Sequence, residues 1–237
     1  MPTLWIIAGA NGSGKSSAYS ASALDETAGS IWIINPDELS KTIAEQERLP
    51  LTPDANLEAV RRIETWLYAS IAAHQTVGVE TVLSTDKYRK LVDHAHAHGF
   101  VVRLIYVFLK SADLNVERVR FRVSKGGHDV EESRIRDRRR RSFAQLGWFL
   151  GAADRVAIYD NSAAEPSLVF AKLGGDAEVY GPLIPEVAQA IETWSPGFLA
   201  DARASSDRSS ASRATRKRRR RRRRRRTKAA PSDGKSA

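Results

Sequence analysis

Almost wholly apolar runs alternate with amphipathic segments along most of this chain. The runs at 3–9 (TLWIIAG), 76–84 (TVGVETVLS) and 100–110 (FVVRLIYVFLK) have the composition of strands buried on both faces of a parallel sheet. Residues 53–75 instead place apolar side chains at helical spacing. Strands that alternate with helices predict an α/β fold with a mainly parallel central sheet flanked by helices.

The remaining elements follow from the same pattern and from turn residues. A second strand begins at residue 30 and runs into Asn35 and Pro36, which suit the cap and the first turn of a helix. Another strand is predicted at 154–162, with weaker strands near Leu168 and Val179. Helices are predicted at 15–24, 85–99, 111–123, 134–150 and 185–194, and the break at 124–133 is the segment most expected to move.

The loop after the first strand indicates a nucleotide site. Gly9 to Ser16 match G-x-x-x-x-G-K-[ST], between a strand and a helix, which is the context of a phosphate-binding loop. Glycines let backbone N–H groups converge on phosphate oxygens, and the helix N-terminus favours the same anion. Lys15 would reach the β- and γ-phosphates of ATP, and Ser16 would hold Mg²⁺. The predicted nucleotide-binding residues are Gly9, Ala10, Asn11, Gly12, Ser13, Gly14, Lys15, Ser16 and Ser17.

Asp37 follows the second strand, near the sheet edge where open α/β folds bind ligands. One interpretation makes its carboxylate the general base that takes a proton from an acceptor hydroxyl. The other is that Asp37 and Glu38 complement the dipole of a helix in its first turn. The spacing alone leaves both interpretations open.

Glu80 is an acid inside an apolar strand, where a carboxylate is costly unless it is paired or liganded. It could contact Mg²⁺ through water, bind a substrate hydroxyl, or pair with a lysine or arginine. We favour a functional role, because ionisable groups in such surroundings cluster at active sites.

Arginines flank the break SKGGHDVEES on both sides. Phosphoryl transfer spreads negative charge over the transferred group, and arginines on a mobile lid could stabilise that charge. The alternative is a solvated helix face with pairs such as Glu132 and Arg136. We expect most of these arginines to lie on the surface and one or two to point inward. The candidates are Arg118, Arg120, Arg122, Arg134, Arg136 and Arg138 to Arg141.

Charge divides the chain into two regions. The net charge is +10, and residues 203–237 hold 13 Arg and 3 Lys against two Asp, so this part carries +14 and the first 202 residues carry −4. The basic run from Arg216 to Arg226 repels itself and has nothing to bury. We therefore predict a P-loop domain at 1–200 and a disordered polybasic tail at 201–237. Residues 213–228 could bind nucleic acid non-specifically.

Composition and missing motifs narrow the class of protein. The chain has no Cys, so it can form neither a disulfide nor a thiolate metal site. Its N-terminal apolar run is short and lacks a basic flank, and no run reaches the roughly 18 apolar residues of a membrane helix. We expect a cytoplasmic protein with no membrane partner. It contains neither an LSGGQ-like stretch nor N-K-x-D, which argues against transporter-type ATPases and GTPases.

The motifs together resemble the zeta-toxin family of P-loop kinases. The matching stretches are AGANGSGKSS, INPDEL, VETVLST, the run from His98 to Val130, and IYDNS, in order over about residues 3–162. Studied zeta toxins phosphorylate the 3′-hydroxyl of the amino sugar in UDP-N-acetylglucosamine, and some are held inactive by an antitoxin. The resemblance therefore implies a kinase that uses ATP and Mg²⁺, a sugar-nucleotide acceptor and, as in some members, an antitoxin partner.

The resemblance also assigns roles to residues. It makes Lys15 the phosphate-loop lysine and Asp37 the catalytic base. Arg122, just before the Gly-Gly-His lid, and Arg138 fall near the family's phosphate-clamping arginines, and four consecutive arginines leave the register of Arg138 open.

Glu80 and Thr81 fall where the family binds the sugar nucleotide. The lid sequence RVSKGGHDVEE is similar to that of chromosomal relatives rather than plasmid toxins, and Ala10 stands where such relatives often carry Pro. Fold and kinase chemistry therefore transfer better than substrate or toxicity.

The sequence thus predicts a small-molecule kinase that transfers the γ-phosphate of ATP to a hydroxyl of a sugar nucleotide. Two alternatives stay open. One is a P-loop ATPase that drives conformational work, and the other is a nucleic-acid-binding protein that acts through its basic tail.

Overall fold

The computed structural model describes residues 1–15, 33–35, 39, 42, 53–127 and 129–204. Within these residues, seven strands form one sheet in the order β2-β3-β1-β4-β5-β6-β7. The strands are β1 (Thr3–Ala8), β2 (Ile33–Ile34), β3 (Val77–Thr81), β4 (Val101–Phe108), β5 (Arg155–Asp160), β6 (Ser167–Leu173) and β7 (Asp176–Val179). The predicted α/β fold with a mainly parallel sheet is confirmed.

Strand β1 lies inside the sheet and runs parallel to both of its neighbours. Leu4 of β1 pairs with Val77 of β3 on one side and with Val102 of β4 on the other. All six residues of β1 are buried, which agrees with its unbroken apolar run. Strands β2 and β5 extend the parallel pairing outward. Five strands therefore end at one edge of the sheet, and the phosphate loop leaves β1 at that edge.

Beyond β5, the sheet ends in two antiparallel strands, β6 and β7. Strand β6 runs antiparallel to β5, and β7 runs antiparallel to β6, with Leu173 opposite Asp176. The two residues between them are Gly174 and Gly175, and Gly174 has a φ of +59°, which glycine adopts at little cost. The weak strands predicted near Leu168 and Val179 are confirmed as this hairpin.

Five longer helices accompany the sheet in the described residues: α1 (Pro53–Ala72), α2 (Arg89–Ala97), α3 (Ala112–Ser124), α4 (Glu132–Ala152) and α5 (Pro185–Trp194). Ser111 caps α3 as predicted, because its hydroxyl oxygen accepts the N–H of Leu114 at 3.2 Å. Helix α2 begins later than predicted. A turn precedes it, in which the N–H of Arg89 donates to the carbonyl of Asp86.

Two buried cations tie helix α4 to its neighbours. Arg139 pairs with Glu186 of α5 at 2.7 Å and donates to the carbonyl of Leu109 at 3.1 Å. The ammonium group of Lys172 in β6 donates to the carbonyl of Leu150 at 2.6 Å and to further carbonyls at the end of α4. The last carbonyls of a helix have no donor within the helix, so Lys172 supplies one. Burial lowers the pKa of Lys172.

The chain divides into two compact units. The first comprises Met1–Ser195, and the second begins at Pro196, of which the structure describes residues up to 204, helical from 198. The predicted domain at 1–200 and the tail at 201–237 remain predictions, because residues 205–237 lie outside the described residues. No helix in the described part of the chain is long and apolar enough to cross a membrane.

We expect Lys172→Met to lower the free energy of unfolding by about 1–3 kcal/mol, because buried carbonyls at the end of α4 lose their donor. Urea unfolding followed by circular dichroism measures the effect. Lys90→Met is the matched control, since Lys90 is exposed. Equal stability of the two variants would mean that the cation does not stabilise the helix end.

Candidate functional site

The loop that follows β1 is held by close contacts of its glycines. Gly9, Gly12 and Gly14 have φ values of +149°, +76° and +79°. A Cβ on Gly9 would lie 2.2 Å from the carbonyl oxygen of Val107, and a Cβ on Gly14 would lie 2.3 Å from Nδ2 of Asn161. Side chains are therefore excluded at Gly9 and Gly14 both by conformation and by space, so that the backbone alone shapes this part of the cradle.

Lys15 is the first helical residue after the loop, and its amine turns back over the loop. Nζ donates to the carbonyl of Gly9 at 2.9 Å and lies 3.6 Å from Oε1 of Glu80. The side chains of Lys15 and Glu80 are only 10% and 12% exposed. The structure therefore brings together two residues that the sequence assigned to the same site.

Glu80 and Thr81 end strand β3 directly beside the loop. Glu80 pairs with Ile7 and Thr81 with Ala8 across the strands, and the N–H of Gly9 donates to the carbonyl of Thr81 at 3.2 Å. The hydroxyl oxygen of Thr81 accepts the N–H of Leu83 at 3.0 Å. Both residues thus lie at the carboxyl edge of the sheet, where the sequence placed them.

Two asparagine side chains hold the carbonyl groups of the loop. Nδ2 of Asn115, in α3, donates to the carbonyl of Asn11 at 2.8 Å. Nδ2 of Asn161, after β5, donates to the carbonyl of Ser13 at 2.8 Å. Arg118, in α3, donates in turn to the carbonyl of Asn161 at 2.7 Å. Sequence reasoning did not single out these contacts, although Arg118 was among the flanking arginines and Asn161 lies in the motif IYDNS.

Polar atoms without a hydrogen-bond partner also gather at the loop. Oδ1 of Asn11, Oγ of Ser13 and Oδ1 of Asn115 are buried and make no hydrogen bond. Buried polar groups are normally satisfied, so orphans of this kind often mark a site for a ligand or water. The Ser13 hydroxyl can donate a hydrogen bond, so together with the cradle and the Lys15 amine it fits the phosphate groups of ATP, whereas the two amide oxygens only accept and would need a donor such as water. A magnesium ion would have the Glu80 carboxylate nearby.

Part of the predicted site lies outside the described residues. Ser16, Ser17 and Asp37 are in this category, so their roles as nucleotide ligands, magnesium ligand and general base stay predictions. The strand before Asp37 is described: Ile34 of β2 pairs with Val79 of β3, next to Glu80.

The arginines of the predicted lid lie mostly on surfaces, as expected. Arg136 pairs with Asp113 and Glu132, and Arg140 and Arg141 both pair with Asp137 at 2.8 Å. Of the four consecutive arginines, Arg139 points inward, and it is engaged by the fold rather than by the loop.

Arg138 is half-buried and makes no ion pair with a described residue. Arg122 lies in the last turn of α3, where its carbonyl accepts the N–H of Gly127 at 3.0 Å. Their roles as phosphate clamps therefore stay predictions, whereas Arg118 is an arginine that the structure does place next to the loop.

A cleft of about 510 Å³ opens between α1 and the start of α2. Its lining includes Glu64, Tyr68, Lys87 and Tyr88. The Tyr88 side chain lies beside Thr81, and its pKa is raised by burial and by Glu64. Burial also lowers the pKa of Lys87, which lies 3.7 Å from Glu64. One residue that lines the cleft, Tyr88, thus contacts the strand edge that carries Glu80 and Thr81.

Comparison with known sequences gives one family and one relative. Residues 4–145, more than half of the chain, match the family described as AAA domain. An uncharacterised protein of Haemophilus influenzae is 29% identical over 143 residues, which are 57% of this chain and 96% of that protein.

Solved structures share the fold at low identity. The AvrRxo1-ORF1:-ORF2 complex with ATP matches with a TM-score of 0.58 and 17% identity, over 83% of this chain and 64% of that chain. The PezAT chromosomal toxin–antitoxin system of Streptococcus pneumoniae matches with a TM-score of 0.51 and 18% identity, over 72% of each chain. This chain thus spans less than two thirds of the AvrRxo1 chain.

These likenesses agree with the geometry. The strand order, with β1 between β3 and β4 and a glycine cradle at its carboxyl edge, is shared with P-loop proteins that bind phosphates at this position. The family match covers the cradle, Glu80 and helix α3. The chain therefore belongs to the AAA-domain family, and its described part has the α/β fold of P-loop NTPases.

Proposed function

We propose that this protein is an ATP-dependent phosphotransferase that moves the γ-phosphate to a hydroxyl of a small molecule. One observation carries the proposal: the Lys15 amine lies inside a glycine cradle, 3.6 Å from the carboxylate of Glu80, at the edge where parallel strands end. An amine in that position neutralises phosphate charge, and a carboxylate beside it can contact a metal or a hydroxyl group.

The chain offers a division of roles around the nucleotide. Backbone N–H groups within Gly9 to Ser17 would bind the phosphates, apart from those of Gly9 and Ser13, which already donate to the carbonyls of Thr81 and Ala10. Lys15 would lie at the β- and γ-phosphates. Ser16 would hold Mg²⁺, with Glu80 near enough to contact it through water. When bound, the ion supplies neutralisation of the charge that develops on the phosphoryl oxygens.

The transfer step needs a base, and we assign that role to Asp37. Its carboxylate takes the proton of the acceptor hydroxyl while the oxygen forms a bond to the γ-phosphorus. The bond between that phosphorus and the bridging oxygen breaks, and ADP leaves with the electron pair. Arg122 and Arg138 would stabilise the charge on the phosphoryl group.

We propose a sugar nucleotide similar to UDP-N-acetylglucosamine as the acceptor. The zeta-toxin resemblance supports this class, and Glu80 with Thr81 would bind it. The cleft lined by Tyr88 has a volume suited to a small molecule, and Tyr88 itself contacts Thr81. The fold shared with PezAT supports the further proposal that an antitoxin-like protein binds this chain.

The alternative hypothesis is that the protein is an ATPase, which transfers the phosphate to water. The experiment that separates the two is incubation of the full chain with γ-labelled ATP and a panel of sugar nucleotides. A kinase yields a new labelled product and releases ADP faster when its acceptor is present. An ATPase yields labelled inorganic phosphate at a rate that no acceptor changes.

Asp37→Asn should retain binding of an ATP analogue and lose transfer by about 10²–10⁴ in rate, because the amide cannot accept the proton. Steady-state product formation and calorimetric titration measure the two properties. Lys15→Ala should instead lose nucleotide binding, and Asp176→Asn, an exposed acid on β7, should change neither.

If Glu80 binds the acceptor, as proposed above, Glu80→Gln should raise the KM for the acceptor more than it lowers kcat; a larger loss of kcat would instead indicate a role at Mg²⁺. The same kinetic assay, run over acceptor concentration, measures both constants.

For the Asp37→Asn variant described above, transfer at the wild-type rate would mean that another residue is the base, and it would strengthen the ATPase hypothesis.

A second candidate function rests on the charge difference between the tail, at +14, and the rest of the chain, at −4. We expect deletion of 203–237 to leave kinase activity intact and to abolish binding of DNA or RNA, with wild-type affinity falling steeply as salt rises. Electrophoretic shifts at two salt concentrations test this. Replacement of the arginines in 216–226 by lysine keeps the charge and should keep binding. Undiminished binding by the truncated chain would contradict the assignment.

A further inference from the structure

We infer that Asn161 is a positioning residue for the nucleotide: it holds the phosphate loop so that the backbone N–H groups of the loop face the bound phosphates. We also infer that Arg118 holds Asn161 in place. The inference rests on nucleotide binding by the loop, as proposed above. It concerns residues outside the Gly9–Ser17 motif, contributed by β5 and α3.

In a phosphate cradle, the carbonyl group of each peptide also needs a hydrogen-bond partner. When an N–H turns toward the anion, the carbonyl group tends to turn away from it, and a buried carbonyl needs a donor. Within the loop itself, the N–H of Ser13 donates to the carbonyl of Ala10 at 3.1 Å. The carbonyl of Ser13 receives its donor from outside the loop, from Nδ2 of Asn161 at 2.8 Å.

Asn161 is well placed for this role because both ends of the residue are fixed. It is 5% exposed, and its own N–H donates to the carbonyl of Phe108 in β4 at 2.9 Å. Its carbonyl accepts Nη2 of Arg118 at 2.7 Å. Its side chain fills the space that a Cβ on Gly14 would take, one residue before Lys15. Displacement of Asn161 would therefore move the part of the loop that precedes the lysine.

Arg118 connects this contact to helix α3. Its guanidinium donates to the Asn161 carbonyl, and Nη1 lies 3.5 Å from the position of a Cβ on Gly14. Asn115, three residues earlier on the same helix face, donates to the carbonyl of Asn11. The loop is thus held at two carbonyls, and α3 contributes to both.

The test compares Asn161→Ala and Asn161→Asp with Ser162→Ala in the full chain. Ser162 is the neighbouring residue, and its hydroxyl bonds Asp160 rather than the loop, so this control reports local disturbance of the strand end. Binding of a non-hydrolysable ATP analogue is measured by calorimetry. Tm is measured with and without that analogue.

We expect Asn161→Ala to weaken binding of the analogue about tenfold, equivalent to about 1.4 kcal/mol. The nucleotide-induced rise in Tm should shrink. Tm without nucleotide should fall as well, because the buried Ser13 carbonyl loses its donor, so the affinity of the folded fraction decides the test. Asn161→Asp should bind more weakly still, because a carboxylate cannot donate to the Ser13 carbonyl and repels the phosphates. In turnover, KM for ATP should rise and KM for the acceptor should not.

A structural role alone would lower Tm without nucleotide and leave the affinity of the folded fraction unchanged. That pattern, loss of folding in both variants, or wild-type affinity in both would overturn the inference. Failure of the wild-type chain itself to bind the analogue would instead contradict the proposed function. The Asp variant keeps the shape of Asn and provides the comparison if the Ala variant is unstable.

Discussion

Three glycines of the phosphate loop approach three separate elements so closely that no side chain fits, and the rest of the site depends on this contact. Gly9 faces the carbonyl oxygen of Val107 in β4, and Gly12 faces that of Asn115 in α3, where a Cβ would lie 2.5 Å away. Gly14 faces the side chain of Asn161. The loop is therefore positioned by the folded sheet and helix before any ligand arrives, which lowers the ordering cost of binding an anion.

The same arrangement explains how a lysine and a glutamate share a nearly buried position. Burial of either charge alone is expensive, and Lys15 with Glu80 at 3.6 Å offsets part of that cost. A triphosphate carries more negative charge than one carboxylate, so in the proposed complex Lys15 exchanges Glu80 for phosphate oxygens. Glu80 is then available to the metal or to the acceptor hydroxyl. The ion pair is thus compatible with a functional role of Glu80 and also with the alternative interpretation, in which Glu80 simply pairs with a lysine.

Local patterns predicted the parts of this fold that depend on local chemistry. The glycine loop, the apolar parallel strands and the Ser111 cap follow from residue type and spacing alone. The contact between Asn161 and Ser13 could not be predicted, because the two residues are 148 positions apart in the sequence. The residue type Asn alone does not specify which carbonyl group its side chain will contact. Four consecutive arginines are equally ambiguous, since Glu186, far along the chain, engages Arg139 in the fold. Asp37 lies outside the described residues, so its role stays a prediction.

Helix α3 carries a residue that contacts the phosphate loop near its start and a proposed phosphate-binding arginine at its other end. Near its start, Asn115 is 1% exposed and bonded to the loop, so this end is fixed to the nucleotide site. At its other end, Arg122 lies one helical turn beyond Arg118, on the same face, and leads into a turn where Gly126 has a φ of +83°. This end is bonded within the turn, since the carbonyl of Arg122 accepts the N–H groups of Lys125 and Gly127. Under the role proposed above for Arg122, the Asn115 contact that holds the cradle is therefore separate from the arginine that would bind the phosphoryl group.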